Sequence, residues 1–317
     1  MPPTLPQAFR NLRRTRGSFD GQWFTEEDEG ATRLALKVNR HLYHETSPYQ
    51  RIDVYESDFF GRFLTLDDLL MFTERDEFVY HEMLVHVPLC SLPNPRQVLI
   101  IGGGDCGCLR EVLRHPQIER VTLCEMDERV CAVCREWFPW VKPALQDPRV
   151  LTVHADGVQH VQQYAEIYDL VVVDSTDPVG PALPLFLADF YDTVRRSLLP
   201  GGVMTAQAES PVWNPELVSA ILAQQRQSFP AVSLYLGQVP TYQGGTWCWS
   251  YATLDPAAAP RPLPSRAAAL TGESRYYTPE VHAAAFVLPP FVCQVADGRN
   301  PFRPVVSRHR DSSIKPV

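Results

Sequence analysis

From residue 97 to residue 253 the chain alternates two kinds of apolar segment. Short runs such as QVLII (97–101), RVTLC (120–124), RVLTV (149–153) and LVVVD (170–174) are apolar almost throughout. Between them lie CLREVLRHP, ERVCAVCREWF, LFLADFYDTVRRSLLPGG and PELVSAILAQQRQSF, whose apolar positions recur at helical spacing among charged ones. Strands without a polar face, separated by amphipathic helices, predict a mostly parallel sheet covered on both sides. The segments VMTAQAES, VSLYLGQV and TWCWSYAT extend the series, and Gly201-Gly202 is read as the stop of the helix before them.

The first third follows another pattern. From about Trp23 to Leu70, LALKVNRHLYHETS and YQRIDVYESDFFGRFLTLDD mix β-branched and aromatic residues with polar ones in partial alternation, and Gly61 marks a turn. This predicts a small antiparallel β domain. TERDEFVYHEMLVHVPL reads as a helix capped by Thr73, with Phe78, Met83 and Val85 supplying apolar surface. Pro93 and Pro95 mark a boundary. The predicted organisation is a flexible arm over 1–20, a β domain with its connecting helix over 21–90, an α/β domain over 91–296 and a disordered tail over 297–317.

Composition narrows the partners. The 317 residues carry a formal charge of −8, which argues against nucleic acid or an anionic membrane. No leader with an apolar centre is read at the start, and no apolar run approaches the about 20 residues that span a bilayer. A soluble, cytoplasmic protein is expected. Of the eight cysteines, Cys106 and Cys108 flank a glycine, and Cys131 and Cys134 form a C-x-x-C. A metal knuckle or redox pair competes there with buried packing on one helix face, and the missing second ligand pair favours packing.

In a doubly wound sheet, ligands bind beyond the carboxyl ends of the strands. After the first strand, Gly102, Gly104 and Gly107 satisfy G-x-G-x-x-G, a pattern shared by several nucleotide-binding classes. After the second comes Glu125, about 20 residues on, where a carboxylate accepts from ribose hydroxyls. After the third come Asp156 and Gly157, and after the fourth Asp174 and Asp177. The first three strand ends describe an adenosine pocket. Asp105, Asp174 and Asp177 at the reacting end predict a cationic substrate, because buried carboxylates without counter-charges are costly.

The runs IGGGDCGCLREVLRHP, CEMDE, ADG, DSTDPVGPA, PTYQGG, LYHETSPYQRIDVYES, TERDEFVYHEM and RYYTPEVHAAAF resemble the polyamine aminopropyltransferases, the spermidine synthase family, over about residues 20–292. The resemblance implies a Rossmann-like, methyltransferase-type α/β domain with a small N-terminal antiparallel β domain, assembled as a homodimer or homotetramer. It implies transfer of the aminopropyl group of decarboxylated S-adenosylmethionine, a co-substrate and not a bound cofactor, to a diamine such as putrescine. Spermidine and 5′-methylthioadenosine would result, without a metal. It places Gln50, Glu125, Asp156, Gly157 and Pro181 around the methylthioadenosine moiety and Asp105 on the ammonium of the aminopropyl arm. Asp174 becomes the proton acceptor, and Tyr80, His81, Asp177 and Tyr242 line the amine channel. Without the resemblance, Tyr80 and Tyr242 read as core aromatics and His81 as a structural histidine. Trp247 and Trp249 read as packing, and Glu209 as a lesser site candidate.

The chain departs from the family pattern in places. Cys106 replaces a glycine, and if that position needs positive φ its Cβ costs on the order of 1 kcal/mol. Cys108 follows it. Asp68 stands for a glycine, Met71 for a glutamine, and Phe72 is bulkier than usual. Two alternatives remain at this level: an amine N-methyltransferase on the same scaffold, and a catalytically weak protein that binds polyamines or methylthioadenosine.

Overall fold

The computed structural model describes residues 6–10, 15–28, 32–257 and 260–302. The first layer is antiparallel. After α1 (Gln7–Arg10), strands β1 (Thr15–Phe19), β2 (Trp23–Asp28) and β3 (Thr32–Lys37) form a three-stranded sheet. Strands β4 (Arg40–Thr46), β5 (Arg51–Ser57), β6 (Gly61–Leu66) and β7 (Leu69–Thr73) form a four-stranded one. Phe24, Leu36, Tyr55, Phe63 and Leu70 lie buried together in a core drawn from both sheets.

Helix α2 (Glu77–Ser91) joins this layer to the rest and is buried nearly all round. The larger sheet follows, from β8 (Gln97–Gly102), β9 (Arg120–Cys124), β10 (Val150–Val153), β11 (Tyr168–Asp174), β12 (Leu198–Gln207), β13 (Ala231–Gln238) and β14 (Thr246–Thr253). Its order is β10-β9-β8-β11-β12-β14-β13, with β14 antiparallel to both neighbours and the other pairs parallel. Helices α3 (Gly107–Leu113), α4 (Glu128–Trp137), α5 (Val141–Leu145), α6 (Gly157–Val161), a 3-10 helix (Gly180–Phe186), α7 (Ala188–Ser197) and α8 (Pro215–Gln225) connect the strands. Helices α9 (Pro264–Ala269), α10 (Pro279–Ala285) and α11 (Pro290–Ala296) close the described chain.

The pleat divides β8 and β11 between two cores. Val98, Ile100, Leu170 and Val172 face the side with α2, α3 and α4, while Leu99, Ile101, Val171 and Val173 face the side with α7. Both faces are dry, which is why these strands read as unbroken apolar runs. Strand order reverses between β8 and β11, so the chain leaves their carboxyl ends in opposite directions and opens a crevice there.

Three expectations change. Part of the arm is built into the fold: Phe9 is 5% exposed in a core shared with α8 and α11, and β1 pairs with β2. Thr73 ends β7 and Asp76 stands at the N-cap of α2, with the Thr73 hydroxyl donating to Asp76 Oδ1 at 2.7 Å. The stretch LLPGG begins β12, because Leu198 pairs with Tyr168. Of the predicted tail, residues 303–317 lie outside the described residues.

Candidate active site

The crevice is built on close backbone approach. Gly102 has φ +79°, and a Cβ there would fall 2.1 Å from the carbonyl oxygen of Asp174. That carbonyl accepts from the Gly103 amide at 2.9 Å, so the ends of β8 and β11 are pinned together. Cys106 is in the left-handed region at φ +60°, the conformation that a glycine would occupy without strain. Asp68, in the other glycine position, also has positive φ, at +63°.

His81 on α2 is buried against this turn. Its Nδ1 lies 2.7 Å from Glu77 Oε2, one helical turn earlier, and its Nε2 lies 3.5 Å from Asp105 Oδ1. Glu77 also accepts from Arg110 at 3.0 and 2.8 Å. Burial opposes a charge on the imidazole, but Asp105 and Glu77 outweigh it and hold His81 well above its ordinary pKa. Burial would raise Asp105, but His81 and the Gly107 amide, which donates at 2.6 Å, keep its carboxyl low and ionised. Gly107 is needed for space, since a Cβ would sit 2.2 Å from the His81 ring.

Asp174 is the contrasting carboxylate. Its Oδ2 is buried without a hydrogen-bond partner. Burial first, and the Asp105 charge second, push its pKa up to about 6, against pull-down from His81, Cys108 and Tyr80. Glu125 is raised to about 7, chiefly by burial, although its oxygens accept from the amides of Gly104 (3.2 Å) and Asp127 (2.8 Å). Asp177 and Glu209 lie against each other, and both are raised, by burial foremost. Glu209 is held at φ +71°, with Oε2 accepting from Asn214 and Oε1 buried without a partner.

A cleft of about 750 Å3 opens beside these groups, lined by Tyr80, Asp177, Glu209, Tyr242, Met71 and Trp247 among others. Tyr242 donates to the Met71 carbonyl at 2.7 Å, and its loop is anchored where Thr241 donates to buried Asp76 at 2.7–2.9 Å. Trp249 is fully buried, as packing predicts, whereas Trp247 faces the cleft against Tyr242. Phe72 turns away from the cleft, into an aromatic cluster with Phe138 and Trp140.

The remaining candidates form a second group. Gln50 reaches from the β4–β5 turn and donates to Asp127 Oδ2 at 3.0 Å, next to Ser47 at 2.6 Å. Asp127 also caps α4 through the Arg129 amide. Asp156 caps α6, Gly157 lets that helix start pack on Ile101, and Pro181 is exposed in the 3-10 helix. The sequence reading passed over Glu26, which lines the cleft from β2, and the Glu77–Arg110 support of His81. Only the latter left a signal, the i,i+4 spacing of Glu77 and His81. His81, Cys108 and Asp174 also bring ligand-type atoms within 4.8 Å of one another.

Residues 77–259 match the family model of the spermine/spermidine synthase domain, and residues 22–74 that of the spermidine synthase tetramerisation domain. The polyamine aminopropyltransferase of Moorella thermoacetica is 46% identical over 275 residues, which are 86% of this chain and 95% of that protein. A spermidine synthase solved in complex with the transition state analogue AdoDATO superposes with a TM-score of 0.84 at 36% identity, over 91% of this chain and 99% of that one. The spermidine synthase of Thermotoga maritima superposes with a TM-score of 0.83 at 36% identity, over 91% and 98%. By both domain matches and by relatives alike over most of its length, the chain belongs to the spermine/spermidine synthase family of polyamine aminopropyltransferases.

Proposed function

We propose that the protein transfers the aminopropyl group of decarboxylated S-adenosylmethionine to putrescine, forming spermidine and 5′-methylthioadenosine. The observation that carries this reading is the set of three carboxylates, Asp105, Asp174 and Asp177, around one crevice, with the Asp174 Oδ2 buried and unpartnered. The relative bound to AdoDATO, alike over 91% of the chain, supports the same chemistry.

The amine nitrogen attacks the methylene carbon next to the sulfonium. The carbon–sulfur bond breaks, its electron pair stays on sulfur, and neutral methylthioadenosine leaves. The nucleophile must be uncharged, yet a free alkylamine titrates near the lysine value of about 10. Asp174 takes the proton that the nitrogen sheds, and its raised pKa suits it to that task better than an ordinary aspartate. Asp105 has one oxygen engaged by Gly107 and His81, leaving the other for the ammonium of the aminopropyl arm. The same carboxylate repels the α-carboxylate of unmodified S-adenosylmethionine. Asp177, with Glu209 behind it, holds the distal ammonium. Gln50, Glu125, Asp156, Gly157 and Pro181 enclose the nucleoside, and Tyr80 and Tyr242 wall the channel. The chain acts as a homodimer or homotetramer, a reading supported by the match to a tetramerisation domain.

The test is a product assay with putrescine and each of the two adenosyl co-substrates. Spermidine and methylthioadenosine are expected in equal amounts from the decarboxylated form. Methylated amine from S-adenosylmethionine without spermidine would overturn the reading, as would tight methylthioadenosine binding with no turnover on any amine.

A further inference from the structure

We propose that His81, Cys108 and Asp174 form a binding site for a thiophilic divalent cation of the Zn2+ class, placed so that the ion excludes the reacting amine. Imidazole nitrogen, thiolate sulfur and carboxylate oxygen are the donors from which zinc sites are made. One such atom from each of the three residues lies within 4.8 Å of the other two, close enough for small side-chain rotations to converge on one ion. An all-oxygen set would suit Mg2+ or Ca2+; a sulfur and a nitrogen select for the softer metals.

Each ligand is prepared independently. His81 Nδ1 donates to Glu77 at 2.7 Å, which leaves Nε2, 3.5 Å from Asp105, as the nitrogen available to an ion. A carboxylate behind a ligating histidine is the usual device for fixing its tautomer and direction, and here Arg110 fixes the carboxylate in turn. Asp174 contributes an oxygen that is buried without a partner. Cys108 is fully buried, with its thiol facing Asp174. One thiolate and one carboxylate balance the double positive charge. Asp105, 3.5 Å from His81 Nε2, or a water supplies the fourth position. Binding expels a proton from the Cys108 thiol and one from the imidazole, so no oxidant or reductant is involved. The inhibitory consequence rests on the function proposed above; the site itself stands on its donors.

The probe is Co2+ titrated into the full-length protein, read by the thiolate-to-cobalt charge-transfer band and the visible bands of a tetrahedral ion, with Zn2+ as displacing metal. One equivalent is expected to give both signals in the wild type. Cys108→Ser and Cys108→Ala are expected to lose the thiolate band, and Cys131→Ser and Cys293→Ser to keep it. The Cys108 variants should bind at least about 10–100-fold more weakly, the loss already typical of removing an outer partner. Saturating methylthioadenosine and putrescine together should suppress the signal in the wild type, a measurement that requires no variant to fold. A thiolate band that persists without Cys108, or no thiolate band in the wild type, would overturn the site, and full binding with both ligands in the cleft would overturn its overlap with the amine. These spectra need no turnover, so absence of aminopropyl transfer would refute the proposed function and leave this result standing.

Discussion

Asp174 and Asp105 are the same residue type in one crevice, and their surroundings drive them apart. Asp105 is held ionised by His81 and a backbone amide, while Asp174 has an unpartnered oxygen and a pKa of about 6. Replacing Asp174 with Asn should therefore lower turnover by about 10²–10⁴-fold, the usual range for a proton acceptor, with methylthioadenosine affinity kept. In the proposed role the ionised form accepts the proton, so kcat/KM of the wild type should fall as pH drops through about 6. A pH-independent acid side, or full turnover in Asp174→Asn, would refute the role; steady-state kinetics across pH decides. Gly107→Ala tests the support of the pair. Its Cβ would press on the His81 ring, which Glu77 and Arg110 keep from yielding, so a loss of about 1–3 kcal/mol in denaturant unfolding is expected, together with a raised amine KM. The carboxylates were legible because each stands at, or within three residues of, the carboxyl end of a strand, where topology gives its position away. Cys108 and Glu26 were not. Cys108 is the second residue of α3, where a cysteine reads as packing, and Glu26 shares the face of buried Phe24 but opens the acidic run Glu26-Glu27-Asp28, which reads as solvent-facing.

At the scale of elements, the loop between β4 and β5 meets the start of α4 at a single carboxylate. Asp127 accepts from Ser47 and Gln50 of the first layer and from the Arg129 amide of its own helix. Asp127→Ala removes an N-cap, worth about 1 kcal/mol, and the cross-layer contacts with it. The expected result is a lower Tm and a weaker methylthioadenosine affinity with kcat nearly unchanged, because Gln50 loses the partner that holds it. A variant that loses stability without losing affinity would place Gln50 outside the nucleoside pocket. The elements themselves were largely readable, since strands buried on both faces have no polar interruption to confuse them with helices. The errors came where tertiary pairing overrode local signals. Thr73 is a good cap residue, but β7 needs it as a last strand position, and the helix starts after Asp76, whose carboxylate accepts from Thr73 and Thr241 instead of capping the helix. Leu198 follows α7 without a break because β11 is there to pair with it.

Over the whole molecule, the buried carboxylates of the crevice are a stability defect. Asp174 has a folded-state pKa of about 6 against 3.8 unperturbed, and Glu125 about 7 against 4.5. Both shifts are upward, so the unfolded chain ionises first as pH rises. Below pH 4 Asp174 is protonated in both states and contributes nothing. Between pH 4 and 6 the unfolded state sheds its proton while the folded state keeps it, and folding loses stability. Above about pH 6 the penalty is complete, on the order of 2–3 kcal/mol for Asp174. Asp174→Asn without ligand should therefore melt above the wild type at pH 8, and the difference should vanish as pH falls below 4. Glu125→Gln should behave alike, with its window extended to about pH 7. On the proposed function the cationic co-substrate supplies the missing counter-charge, so the wild type should gain more Tm from it than Asp174→Asn does. Thermal melts of the wild type and the two variants from about pH 3 to 8, with and without decarboxylated S-adenosylmethionine, test all of these expectations. Parallel curves would mean that Asp174 is as well solvated in the folded protein as in the unfolded chain. That outcome would remove the physical basis for its role as base, since the same burial raises its pKa and costs the stability.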